Sequence, residues 1–270
     1  MFICPVCAGC LVEGAGSLRC PQGHSFDIAR QGYVSLITGS GTKADTAEMV
    51  RARHSFLMKG FYRPIAEELV AVGRHLERGD PPYLLADLGG GTGWYSQYLL
   101  DRLPGFEGVL FDASIYAARI AAKAHPRLAV ATTDLWRSIP LPDASVTLAL
   151  VIFSPRNPSE IARILRQDGV CLVVTPGPNH LVELRSVVPL LAIEPEKDTR
   201  LLTQFSRFTP SGVTEIDYTI DLSPDDQALV VGMGPSAYHI SPEDMRSLAT
   251  APTSVTVSVR IHHMEHPSTE

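Results

Sequence analysis

Two sets of side chains stand out for their chemistry. Near the start, Cys4 and Cys7 lie in Cys-Pro-Val-Cys, and Cys20 and His24 lie in Cys-Pro-Gln-Gly-His. Thiolates and an imidazole in two close pairs suit a closed, structural zinc site with no open catalytic position. A region this short has little core, so the metal would supply folding energy. The chain has five cysteines. Cys10 is either a competing ligand or a small buried hydrophobe, and Cys171, in an apolar run, reads as packing.

The second set surrounds Leu84-Leu85-Ala86-Asp87-Leu88-Gly89-Gly90-Gly91-Thr92-Gly93. An apolar strand ends in Asp87, and a glycine turn leads into a helix. The spacing is not the Gly-x-Gly-x-x-Gly of a dinucleotide site, and no Gly-Lys-Ser/Thr follows, which excludes a triphosphate loop. Two further apolar runs end in Asp112 and Asp134. Ligands of open α/β sheets sit at the carboxyl ends of strands. Asp87, Gly89, Gly91, Gly93, Asp112 and Asp134 are therefore expected to hold S-adenosylmethionine (SAM). The turn would meet the methionine and ribose parts, Asp112 the ribose hydroxyls and Asp134 the adenine amino group. The pattern resembles class I SAM-dependent methyltransferases over residues 84–261, including the later Leu-Pro-Asp-Ala-Ser turn at 141–145.

These side chains need a parallel sheet to position them. Strands are predicted at residues 84–88, 108–112, 128–132, 146–153, 170–175, 214–220 and 255–261. Helices are predicted at 94–103, 116–124, 158–165, 180–188 and 224–231. Alternation of this kind, with continuously apolar strands, indicates a mostly parallel seven-stranded sheet covered on both faces. The fold class is α/β: a Rossmann-like class I methyltransferase plus a small N-terminal zinc-binding domain. The divisions expected are 1–37 for the zinc module, 38–78 for a helical linker and 79–270 for the SAM-dependent domain. Within the module, short strands are predicted at 25–28 and 33–37 beside a turn at 14–16. Gly39-Ser40-Gly41 reads as a flexible link. Helical spacing then runs from Thr46 to Ala71, with Asp45 or Thr46 as N-cap, a break near Gly60 and Pro64 opening a second helix.

For the reacting group, the segment Ser154-Pro155-Arg156-Asn157 follows the fourth strand of the sheet. Arg156 and Asn157 are the catalytic candidates, as groups able to hold a purine edge. His180 and the His262-His263 pair read as structural. Phe61, Tyr62, Trp94 and Tyr95 are candidates to stack on an extruded base. Residues 233–239 are expected to cap the substrate pocket.

A longer series of segments narrows the family. Phe26-Asp27-Ile28-Ala29-Arg30-Gln31-Gly32-Tyr33-Val34-Ser35-Leu36 follows the zinc pairs. Residues 45–57 and Gly60-Phe61-Tyr62-Arg63-Pro64 continue the order, and Thr175-Pro176-Gly177-Pro178-Asn179-His180-Leu181 closes it. This order resembles bacterial 23S ribosomal RNA guanine-N1-methyltransferases, a family that includes macrolide-resistance members. The resemblance implies methyl transfer to guanine N1 in a 23S rRNA hairpin loop, RNA recognition by the zinc module, and a homodimer. Arg51, Arg53, Lys59 and Arg63 would supply phosphate contacts.

The chain departs from the family in three ways, of which the first leaves SAM binding intact and the other two point to another substrate. The glycine turn is Gly-Gly-Gly-Thr-Gly where the family usually has Gly-Cys-Gly-Glu-Gly. The segment before Asp45 holds only Lys43. The net charge is −6, against the positive field that favours long nucleic acids. A small-molecule (natural-product) substrate is the second reading, and a non-catalytic SAM- or RNA-binding protein the third. No run of about 18 apolar residues suggests a membrane span. The opening Met-Phe-Ile-Cys-Pro is unlike a secretory signal, so a cytoplasmic protein is expected.

Overall fold

The computed structural model describes residues 2–39, 44–77, 81–190, 197–248 and 253–266. Ser40 and Gly41 of the expected link, and Lys43, lie outside the described residues.

The N-terminal module is a three-stranded antiparallel sheet of β1 (Val12–Gly14), β2 (Ser17–Arg19) and β3 (Ser25–Asp27), followed by β4 (Val34–Ser35). The turn between β1 and β2 takes Ala15 and Gly16 at positive φ. The linking segment forms α1 (Ala47–Met58) and α2 (Arg63–Leu76). Thr46 is the N-cap of α1, accepting the Met49 N–H at 3.3 Å. Gly60, at φ +79°, makes the break, and Pro64 sits in the first turn of α2, where its missing N–H costs nothing.

The main sheet then alternates: β5 (Tyr83–Leu88), α3 (Trp94–Leu100), β6 (Phe106–Asp112), α4 (Ile115–Ala121), β7 (Leu128–Thr132), β8 (Val146–Ile152), α5 (Pro158–Ile164) and β9 (Leu165–Pro176). The remainder is α6 (Val182–Arg185), α7 (Lys197–Gln204), β10 (Thr209–Asp221), α8 (Pro224–Gly232), a 3-10 turn (Pro235–Tyr238), α9 (Pro242–Ser247) and β11 (Ser254–Glu265). The strand order is β10-β11-β9-β8-β5-β6-β7-β4. β11 is antiparallel to both neighbours, and the pairings from β9 to β4 are parallel. Order reverses at β5, which places the glycine turn at the topological switch point.

Seven strands were expected, and among the described residues the sheet has eight. The extra edge strand is β4, from the N-terminal module, where Val34 and Ser35 pair with Ala131 and Thr132. The module therefore shares the sheet. Phe2 meets Phe111 edge-on at 5.6 Å, and the Ile3 N–H reaches the Pro140 carbonyl at 3.1 Å. Alternate residues of the central strands feed two cores. Leu85, Leu110, Leu150 and Leu172 face α1, α2 and α3, while Ala86, Phe111, Val151 and Val173 share a core with Phe2, Leu11 and Leu18 of the module.

Other boundaries moved for local reasons. The helix expected over 180–188 shrinks to α6, and the left-handed Leu181 (φ +54°) forbids an earlier start. β9 begins at Leu165, directly after α5. The Gly169 position within it comes so near the Val146 carbonyl that a Cβ would lie 2.9 Å away.

Candidate functional site

The four predicted metal ligands converge. Their ligand atoms all lie within 4.8 Å of one another. Cys7 and Cys20 sulfurs are 3.6 Å apart, and His24 Nδ1 stands 3.6 Å from Cys4 and 3.3 Å from Cys20. Ligands at zinc bond lengths around one tetrahedral ion are separated by roughly 3.5–3.8 Å, so the set fits zinc. Burial pushes the Cys20 thiol up, but hydrogen bonds from Cys7, His24 and Gln22 outweigh it and bring it down to about 6. Thiolate character at neutral pH is what a metal ligand requires. Cys10 is exposed and outside the cluster, and Cys171 is buried in β9.

At the switch point, Gly89 and Gly91 take φ +79° and +58°. The Gly89 and Gly90 N–H groups both donate to the Phe111 carbonyl, at 2.8 and 3.2 Å, which ties the turn to β6. A Cβ on Gly89 would lie 2.5 Å from Ser154, and one on Gly90 2.5 Å from the Asp87 carboxyl carbon. Gly89 and Gly90 thus leave no room for a side chain, whereas at Gly91 it is the positive φ that favours glycine.

A cavity of about 700 Å³ opens above this turn. Asp87, Gly89, Gly91, Asp112 and Asp134 line it. Gly93, the sixth predicted residue, does not line it. Its positive φ (+78°) begins α3, and a Cβ there would press on Ala121 of α4 and on Ala124 beyond it.

Asp87 is 1% exposed. Ser96 Oγ donates to its Oδ2 at 2.6 Å, and Oδ1 is buried without a partner. Burial raises its pKa to about 7; the Ser96 hydrogen bond opposes the rise, and the neighbouring Asp112 adds to it. Asp112 accepts the Gly91 N–H at 2.9 Å and the Ser114 N–H at 2.8 Å. Burial pushes its carboxyl up too, against those hydrogen bonds and the nearby Arg53 charge. Asp134 accepts the Trp136 N–H at 3.0 Å. An orphaned carboxylate oxygen beside a close backbone turn fits the ammonium end of SAM. Carboxylates at the next two strand ends fit its ribose and adenine.

Tyr62, Phe153, Arg156, His180 and Arg185 line the same cavity. Phe153 follows β8 at φ +50°, strained for a bulky residue. Its ring stacks on His180 at 5.9 Å and 27°. His180 Nδ1 accepts the Ser258 N–H, and its Nε2 lies 3.3 Å from the Tyr62 hydroxyl. Arg156 donates to Gln204 at 3.0 Å.

Several sequence expectations are redistributed. Asn157 does not line the cavity; it caps α5 through the Glu160 N–H and donates to the Trp136 and Arg137 carbonyls. Of the four aromatic candidates, Tyr62 and Tyr95 reach the cavity. Phe61 packs on Phe56, and Trp94 on Tyr95 and Tyr98. His262 is buried between Thr175 and Asp198, and His263 meets Thr214. Met233, Gly234, Pro235 and Ser236 of the expected cap do line the cavity. The basic cluster is dispersed: Lys59 pairs with Asp226, Arg51 with Glu48, and Arg53 turns inward to the cavity wall. Gly90, Phe153 and Trp136 also line the cavity but were not singled out as site residues. For Gly90 the run of three glycines was the available signal.

Residues 2–38 match the family model described as RlmA, N-terminal, a zinc ribbon. The 23S rRNA (guanine(748)-N(1))-methyltransferase of Streptomyces fradiae is 42% identical, over 95% of this chain and 93% of that one. A Micromonospora griseorubida protein named as a 23S rRNA (guanine-N(1)-)-methyltransferase is also 42% identical, over 96% and 95%. YxjB of Bacillus subtilis, named for the same activity, is 30% identical over 97% and 95%. Among solved structures, the YcgJ protein of Bacillus subtilis superposes with a TM-score of 0.51 at 16% identity, over 75% of this chain and 100% of that one, a likeness of fold alone.

Proposed function

The chain belongs to the 23S rRNA (guanine-N1-)-methyltransferase family, and on that premise we propose that it methylates N1 of a guanine in a 23S rRNA hairpin loop, with SAM as donor. The observation that carries the reading is one cavity lined by two unlike sets of groups. Three strand-end carboxylates and a glycine turn make up one set, and the stacked Phe153 and His180 rings with Arg156 and Arg185 the other.

SAM supplies a methyl group already activated by its sulfonium, so the chain's task is alignment and exclusion of water. Asp87 would take the ammonium, Asp112 the ribose hydroxyls and Asp134 the adenine amino group. Phe153 and His180 offer a planar surface to an extruded base. Arg156, which also lines the cavity, would donate to O6 and N7 of guanine, the pairing that favours guanine over adenine. Guanine N1 lies on the Watson–Crick edge, so an unpaired loop is the form a cavity can accept.

The domain reading is a zinc module over 1–37, a helical linker over 38–78 and a SAM-dependent domain over 79–270, with zinc held by Cys4, Cys7, Cys20 and His24. A ribosomal RNA substrate goes with a cytoplasmic protein. Among the described residues no helix is long and apolar enough to cross a membrane. A homodimer goes with this reading, and light scattering giving only a monomer would remove that part of it. The Streptomyces fradiae relative is named for guanine 748, which makes that nucleotide the first to examine. The test is nucleoside analysis of 23S rRNA after incubation with SAM: 1-methylguanosine must appear, and another methylated nucleoside in its place would refute the reading.

A further inference from the structure

Arg53 is placed oddly for a phosphate contact. It lies on α1 with its side chain 24% exposed, and its guanidinium forms part of the cavity wall. Nη1 pairs with Asp45 at 2.5 Å, and Nη2 donates to the Met233 carbonyl at 2.7 Å. A Cβ on Gly91 would lie 3.5 Å from both its Cδ and its Nη1. The side chain is thus laid over the glycine turn and held at both edges by the linker and the cap segment.

The charges around it are lopsided. Asp45, Asp87, Asp112 and Asp134 all line the same cavity. Of the three arginines that line it, Arg156 and Arg185 belong with Phe153 and His180. SAM carries two cationic groups and one carboxylate. The carboxylates present answer the cations. A carboxylate beside Gly91 needs a cation of its own, because unpaired burial of a charge is costly.

Resting on the proposed use of SAM, we infer that Arg53 is the positioning residue that holds the α-carboxylate of the SAM methionine. The guanidinium's remaining N–H groups donate to it, and Asp45 and the Met233 carbonyl fix the orientation. A preoriented guanidinium loses little freedom when it bonds a carboxylate. The contact also links cofactor binding to the cap, since one side chain touches both.

Calorimetry on the full chain tests this with two ligands, SAM and decarboxylated SAM, which lacks only the carboxylate. The wild type should bind SAM more tightly by roughly 10- to 100-fold, the range of a charge-assisted hydrogen bond. Arg53→Gln should lose most of that preference, the loss falling on SAM and not on decarboxylated SAM. Arg53→Lys, which keeps the charge, should recover part of it. Equal wild-type affinity for the two ligands overturns the inference without recourse to any variant. So does an equal loss for both ligands in Arg53→Gln, which would mark a merely structural residue. Failure of the wild type to bind either ligand would overturn the SAM reading itself, and this inference with it.

Discussion

The Ser96 hydroxyl donates to Oδ2 of Asp87 at 2.6 Å and leaves Oδ1 of the same carboxylate buried with no partner. Burial lifts the Asp87 carboxyl to about 7. Folding therefore binds a proton that the unfolded chain would release near the ordinary carboxylate range. Stability from this group is full at low pH and is lost as pH rises from about 4 to 7. The cost above pH 7 is on the order of 4 kcal/mol. Asp87→Asn removes the titration, so its melting temperature should exceed that of the wild type at pH 8 and the difference should close as pH falls towards about 4. Thermal unfolding at both pH values checks this, and a variant less stable than wild type at pH 8 contradicts it.

The same carboxylate should make cofactor binding depend on pH. An ammonium group favours ionised Asp87, so SAM affinity of the wild type should rise between about pH 6 and 8 with proton uptake by buffer. Asp87→Asn should bind weakly and without that slope. Calorimetry in buffers of different ionisation enthalpy reads both the affinity and the released proton. A flat wild-type profile would remove Asp87 from the ammonium site.

Gly91→Arg should abolish SAM binding. Gly91 has φ +58°, and its Cβ position faces Arg53 across 3.5 Å. The substitution brings strain and a second cation into the turn. Retained binding by a folded variant would show that the turn is not part of the cofactor site.

For the metal, about one zinc per chain is expected, as for a closed structural site. Cys10→Ser should leave the content unchanged, whereas Cys4→Ser or His24→Ala should lower it. Chelation should also loosen the main sheet's edge, because β4 continues from the module and pairs with β7. Hydrogen exchange at Val34–Ser35 and Ala131–Thr132 reads that coupling. Metal loss in Cys10→Ser but not in His24→Ala would mean a different ligand set.

Arg156 and Asn157 should separate cleanly. Asn157 is the N-cap of α5, so Asn157→Ala should cost about 0.5–2 kcal/mol of stability with little effect on turnover once folded. Arg156→Ala should leave stability near wild type and reduce methyl transfer. The opposite pattern, read by thermal melts and initial rates, would reverse the two assignments.

The parts of the fold written in short-range patterns were legible. The zinc pairs, the Asp87-to-Gly93 turn and the apolar central strands each follow from local residue types, and the family resemblance carried the activity. What was missed depends on distant contacts. Nothing near Val34 says that it will pair with Ala131 and make an eighth strand. Arg53 reads as a surface cation until Asp45 and Met233 turn it inward. Asn157 looked like a substrate ligand because it follows the fourth sheet strand, yet it also precedes Pro158 and Glu160, the ordinary surroundings of a helix cap.

The central claim, methyl transfer to one loop guanine, is tested most directly by incubating the protein with labelled SAM and unmodified 23S rRNA, then mapping stops by primer extension. A methyl on N1 blocks Watson–Crick pairing, so reverse transcription should halt at a single hairpin-loop guanine, only when both protein and SAM are present. Label that enters a small-molecule fraction while the RNA stays unmodified, or no transfer by protein shown to bind SAM, would contradict the account.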